Sequence, residues 1–175
     1  RNGKYANSGW VTEIGADEWR EFNRFGSLAG LEFQKSIERK AFEMGGGNFK
    51  VPAQNLQDFL SNKTSVDLND SSYYPGMTTV NLNSLYPETI TYRLREGLRE
   101  MTKRLKGFNH EDGIITAPES RTSSPVRIPR SSSLSHPDFN NFYPCGEGAG
   151  CAGGIISAAL DGFRVARSIA QKDSA

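Results

Sequence analysis

The sequence predicts a mixed α/β chain in two parts: a mainly helical stretch over residues 1–107 and a strand–loop–helix segment over 108–175. Three observations carry that expectation. A long run of helical periodicity stops at Gly45-Gly46-Gly47, and a second one stops at Gly107. After Gly107 the pattern changes to short β-rich pieces that lead into a Gly-rich loop and a closing amphipathic helix. Such pieces are too few and too short for a parallel sheet covered on both faces. The remaining strands are therefore expected from sequence outside this chain.

In chain order, Trp10–Ile14 reads as a short strand preceded by turn residues. A helix follows between about 17 and 44, where Leu28, Leu31, Ile37, Ala41 and Met44 recur near helical spacing. Gly26 and Gly30 mark a break close to its start. Residues 51–60 read as a short helix, followed by a polar stretch to Ser72 and a Tyr73-Tyr74-Pro75-Gly76 turn. The best-formed helix runs from Pro87 to Lys106. Pro87 suits a first turn, Glu88 complements the positive dipole end, and Ile90, Leu94, Leu98, Met101 and Leu105 form one stripe. Lys103, Arg104 and Lys106 precede the terminating Gly107. Residues 113–116, 125–128 and 141–145 read as strands, and the Ser-rich stretch from Arg130 to Pro137 as an exposed loop. On the closing helix Ile155, Ala159, Phe163, Ala166 and Ala170 share one face.

Composition narrows the function. With 21 basic and 20 acidic residues among 175, no bulk charge favours nucleic acid or an anionic membrane. No run reaches the roughly 20 apolar residues that a membrane helix needs, and no secretory signal opens the chain. Two Cys exclude a disulfide scaffold, so a soluble protein of a reducing compartment or organelle interior is expected. His110 and His136 stand far apart, and no Cys/His cluster has metal-ligand spacing, so no metal is expected. An apolar share of 36% with 18 Gly suggests a piece whose loops are shaped by something else. The chain opens on Arg1 rather than Met, as expected of a processed chain or part of a longer one.

The Gly-rich segment runs Tyr143-Pro144-Cys145-Gly146-Glu147-Gly148-Ala149-Gly150-Cys151-Ala152-Gly153-Gly154. Gly148, Gly150 and Gly153 satisfy G-x-G-x-x-G, but the dinucleotide fingerprint also needs a second strand with an acidic residue about 20 residues on. Only Asp173 stands at that distance, two residues from the last residue of the sequence, so this loop is not expected to open a Rossmann unit. No Gly-Lys-Ser/Thr follows, which excludes a P-loop. Two readings remain: a tight strand-to-helix turn, or an anion or flavin seat built from amides at Gly153, Gly154 and Ile155. Glu147 disfavours phosphates at that point, because a carboxylate repels them. It suits sugar-type hydroxyls.

Phe142–Gly150, followed by Ala152–Ala159 and Asp161-Gly162, resembles the C-terminal signature of uncharacterised FAD-dependent dehydrogenases of the glutathione-reductase-like flavoprotein class. Colinear segments agree. They include Leu28–Gln34, Glu38–Phe42, Gly46–Phe49, Pro52–Gln54, Asp58–Leu60, Ser72-Tyr73, Pro75-Gly76, Lys106–Phe108, Glu119 and Arg121–Ile128. The resemblance implies the C-terminal part of a Rossmann-like FAD/NAD(P)-binding flavoprotein, whose dinucleotide fingerprint lies far upstream in a longer chain. It implies flavin contacts at Gly146, Glu147, Gly148, Ala149, Gly153, Gly154 and Ile155, with residues 1–107 as a substrate-side or cap region. It further implies that Arg121, Thr122 and Ser123 face the flavin or a small-molecule substrate, that NAD(P)H is a possible electron donor, and that the flavin carries the hydride chemistry. The partners implied are the N-terminal remainder or companion chains.

Two departures stand out: Cys145 replaces a small residue before Gly-Glu, and Cys151 an aromatic after Gly-Ala-Gly. A thiol near a helix N-terminus can be redox-active or simply packed. Arg127 and Arg130 complete a basic constellation with Arg121. Arg130, in its Ser-rich setting, reads as a solvated charge. Tyr73 and Tyr74 read as packing aromatics, and Asp58 and Glu88 as helix-end and surface charges. No nucleophile–base pair is visible, so catalytic residues are not assigned. The rival to an oxidoreductase is a non-catalytic interaction subunit that keeps the flavoprotein fold.

Overall fold

The computed structural model describes residues 2–172, and Asp173 lies outside the described residues. The order of elements is a 3-10 segment (Arg20–Leu28), α1 (Ala29–Met44), β1 (Val51–Asn55), α2 (Leu56–Leu60), β2 (Met77–Thr79), a 3-10 turn (Leu82–Ser84), α3 (Glu88–Arg104), β3 (Ile114–Thr116) and α4 (Ile155–Lys172). The mixed α/β class expected from the sequence is what forms, with one small three-stranded sheet of order β2-β1-β3. The chain divides into two compact units. One comprises the residues up to Glu21 with Phe33–Glu119, the other Phe22–Glu32 with the residues from Ser120 on.

In the first unit, Phe33, Ile37 and Ala41 are buried every fourth residue along α1, the spacing that keeps one helix face inward. The helix stops where expected. The Gly45, Gly46 and Gly47 amides return to the carbonyls of Ala41, Glu43 and Phe42 at 2.8, 3.0 and 2.9 Å, and Gly46 and Gly47 take φ of 101° and 69°. The break near the start of the helical run falls at Gly26, inside the 3-10 segment, with φ 57° and ψ −127°.

The expected helix over 51–60 is half strand. Val51 precedes Pro52, a position biased away from helix, and β1 runs antiparallel to β3 and parallel to β2. Its pairs are Ala53 with Thr116 and with Thr79. Only α2 keeps the helical reading, burying Leu56, Phe59 and Leu60. These side chains join Leu82, Leu85, Ile90 and Leu98 in the core of this unit. The expected strand at 113–116 forms as β3, although its ladder partner is β1 and not the segment leading to the Gly loop.

Three expected strands do not form: 10–14, 125–128 and 141–145 have no ladder partner among the described residues. In the first of these, Trp10 packs on α3 against Gly97, and its indole Nε1 donates to the Leu94 carbonyl at 3.1 Å. That anchor replaces strand pairing. No helix among the described residues is long and apolar enough to cross a membrane.

Candidate functional site

In the second unit the Gly loop is a closed turn. The Gly150 amide donates to the Glu147 carbonyl at 2.8 Å, the Cys151 amide donates to the Gly146 carbonyl at 3.0 Å, and both Gly146 and Gly150 take positive φ. The turn is tied sideways as well, because the Ile128 amide donates to the Ala149 carbonyl at 3.0 Å. Ala149 is buried. Glu147 and Gly148 are exposed, and a Cβ on Gly148 meets nothing within 4 Å.

The start of α4 supplies the second half of the site. Gly153, Gly154 and Ile155 are all exposed. The Gly154 amide is taken up locally: it donates to Ser157 Oγ at 3.0 Å, while that hydroxyl donates back to the Gly154 carbonyl at 2.9 Å. The amides of Gly153 and Ile155 meet no acceptor among the described residues. Ser123 stands beside them, its Oγ 3.6 Å from where a Gly153 Cβ would sit. Thus the structure brings Ser123 to the α4 terminus, while Arg121 and Thr122 are exposed on the same segment.

Arg130 overturns its expected role as a solvated charge. Its guanidinium makes a two-pronged pair with Asp161, Nη1 to Oδ2 at 2.9 Å and Nη2 to Oδ1 at 2.7 Å. The two side chains are only 16% and 7% exposed. Arg130 Nη1 also donates to the Pro144 carbonyl at 3.1 Å, and the Gly146 amide donates to Asp161 Oδ2 at 2.9 Å. Sequence reasoning missed Asp161 because it ranked helix faces by apolarity. In α4 the inward face carries Ala158, Asp161, Gly162, Val165 and Ile169. The more apolar face, the one shared by Ile155, Ala159, Phe163, Ala166 and Ala170, points outward, with Ile155 at 90% and Phe163 at 67% exposure. An acid in register with Val165, one turn earlier on α4, was the available signal.

Chiefly the Arg130 hydrogen bonds, then the Gly146 amide, hold the Asp161 carboxyl down at about 2. A folded-state pKa below the unfolded value means stability that is present above about pH 4 and lost as pH falls towards 2, on the order of 2 kcal/mol. Wild type and Asp161→Asn should therefore converge in denaturant midpoint across that window. A gap that stays constant down to about pH 2 would rule this out.

Cys145 is exposed, and Cys151 is half-buried, its Sγ 3.7 Å from the Ala149 carbonyl. No cluster of three His, Cys, Asp or Glu that could hold a metal occurs among the described residues.

Residues 1–122 match the family of FAD-dependent proteins described as C-terminal domain-like, and the chain belongs to that family. A relative is an uncharacterized protein of Clostridium beijerinckii (strain ATCC 51743 / NCIMB 8052). It is 41% identical over 169 residues, covering 95% of this chain and 31% of that protein. The chain therefore spans about a third of that relative's length. The family's name ties the chain to FAD.

Proposed function

We propose that this chain is the C-terminal part of an FAD-dependent oxidoreductase and forms one wall of its flavin site. The carrying observation is twofold: an exposed carboxylate, Glu147, on the closed Gly turn, and, at the start of an 18-residue helix, the Gly153 and Ile155 amides, which meet no acceptor among the described residues. The residues fit the cofactor. Exposed Gly148, Gly153 and Gly154 put no side chains in the way, and the site offers an acceptor at one end and donors at the other. Glu147 accepts from ribityl hydroxyls, the buried Ala149 shapes the turn, and Gly146 and Gly148 let the backbone approach closely. The Gly153 and Ile155 amides, with the positive helix end, favour the electron-rich pyrimidine edge. Gly154 serves by lacking a side chain, its amide being held by Ser157.

FAD, when bound, supplies two-electron hydride chemistry. In this reading residues 108–175 belong to the FAD-binding domain, and residues 1–107 lie on the substrate side. Arg121, Thr122 and Ser123 face the substrate, which is a small organic molecule, and NAD(P)H is the electron donor. The pyrophosphate and adenosine contacts come from the rest of the longer protein.

The test is an absorption spectrum of the natively purified full-length protein. It should show the two flavin bands, and the band in the blue should bleach on anaerobic addition of NADH or NADPH. A sample that is colourless and stays so with added FAD would overturn the flavin reading. Flavin bands without bleaching would remove only the NAD(P)H step. Glu147→Gln should weaken FAD about tenfold, since it removes charge from the hydrogen bonds while keeping an acceptor, as read by quenching of flavin fluorescence. Unchanged affinity would remove Glu147 from the site.

The outward face of α4, with Ile155, Ile156, Leu160 and Phe163 exposed, favours a second reading in which the chain is a non-catalytic interaction subunit. A colourless protein that purifies only with companion chains would support that alternative.

A further inference from the structure

We propose that Arg130 and Asp161 are positioning residues that set the flavin loop against the start of α4, an inference that rests on the flavin reading above. Asp161 receives three N–H donors, two from Arg130 and one from the Gly146 amide. Arg130 in turn holds the Pro144 carbonyl. The pair therefore grips the backbone on both sides of Cys145, at the base of the turn that presents Glu147. Asp161 also lies in the second turn of α4, the helix whose first amides form the other end of the site. A rotation of the peptide before Gly146 would redirect the turn that carries Glu147, and the Gly146–Asp161 bond opposes it.

The chemistry of the contact demands an ionised acid. All three groups meeting the carboxylate are donors, so only an acceptor-only side chain satisfies them. An Asn at this position turns its own NH2 against either Arg130 or the Gly146 amide. Lys at position 130 keeps a charge but loses the two-pronged geometry and the simultaneous hold on Pro144. Because both partners are largely buried, water does not replace what either loses.

A purely structural pair would act only through stability, so the experiment separates the two. In the full-length protein, FAD affinity is measured by titration of the apo form, the geometry of bound flavin by visible circular dichroism, and apo stability by thermal unfolding. Asp161→Asn should weaken FAD about tenfold or more and alter the visible dichroism, and Arg130→Lys should do so to a smaller degree. Val165→Ala is the control, because Val165 is buried on the same α4 face but makes none of these loop hydrogen bonds. It should lower the melting temperature while leaving affinity within about twofold and the dichroism unchanged.

The proposal is overturned if Asp161→Asn and Arg130→Lys bind FAD with wild-type affinity and spectrum. It is equally overturned if Val165→Ala weakens FAD as much as they do. If Asp161→Asn does not fold, Arg130→Lys decides by the same criteria. A wild-type protein that takes up no FAD sinks the flavin reading itself, a result distinct from both.

Discussion

Replacing Gly150 with Ala should destabilise the second unit by about 3 kcal/mol or more and abolish ordered flavin binding in the full-length protein. Two costs add. At φ 70° a side chain pays roughly 1–2 kcal/mol for the left-handed backbone. The new Cβ would also sit 2.5 Å from the Val126 carbonyl oxygen and 3.0 Å from the Arg127 Cα, both backbone atoms that no rotamer change can move. Relief requires displacing the 126–128 segment, which is tied to the same turn through the Ile128–Ala149 hydrogen bond.

Gly148→Ala is the matched comparison, with no backbone strain and open space around its Cβ. It should leave stability within about 0.5 kcal/mol. Any loss of FAD affinity from Gly148→Ala would then report contact with the cofactor. Denaturant unfolding of both variants checks the difference. Equal stability for the two would show that the turn relaxes freely, contrary to its packing.

Much of this fold was legible where one strong local signal decided the structure. Three consecutive glycines stop α1, and Pro87 with Glu88 opens α3 within a residue of its expected start. The failures came where partners decide. The helix expected over residues 51–60 holds only in its second half, because a sheet claims Val51–Asn55 through partners at Met77–Thr79 and Ile114–Thr116. Met77-Thr78-Thr79 has neither periodicity nor length to announce itself, and its role depends on β1 lying alongside. Trp10–Ile14 is rich in strand-favouring residues, yet the indole finds α3 instead.

The candidate site divides in the same way. The exposed glycines and Glu147 could be read from chain order and from resemblance. The Arg130–Asp161 pair could not, because it joins residues from two segments, and an Arg among serines looks solvated until its acid is seen.

Gln54→Leu should cost about 2–4 kcal/mol in the stability of the first unit, although the two side chains are similar in size. Gln54 is fully buried in the central strand and uses both ends of its amide. Its Nε2 donates to the Lys63 carbonyl at 2.6 Å, and its Oε1 accepts from the Leu82 amide at 2.8 Å. Leu fills the space but leaves the Leu82 N–H in the core without an acceptor. Lys63 is exposed, so water can partly satisfy its carbonyl. The unpaired donor thus carries most of the cost.

Gln54→Glu makes the argument sharper. It keeps an acceptor for Leu82 but sets an oxygen against the Lys63 carbonyl, and burial raises the pKa of the new acid. A folded-state pKa above the unfolded value gives stability that is fully present at low pH and lost as pH rises through it. Gln54→Glu should therefore be weakest near neutral pH and recover towards about pH 4, where the protonated acid can again donate to Lys63. Hydrophobic burial alone predicts Leu to be the more stable variant at every pH, whereas hydrogen bonding predicts that Glu overtakes Leu towards about pH 4. Denaturant midpoints of both variants at neutral and acid pH therefore decide whether hydrogen bonding or apolar packing holds β1 to the segments on either side.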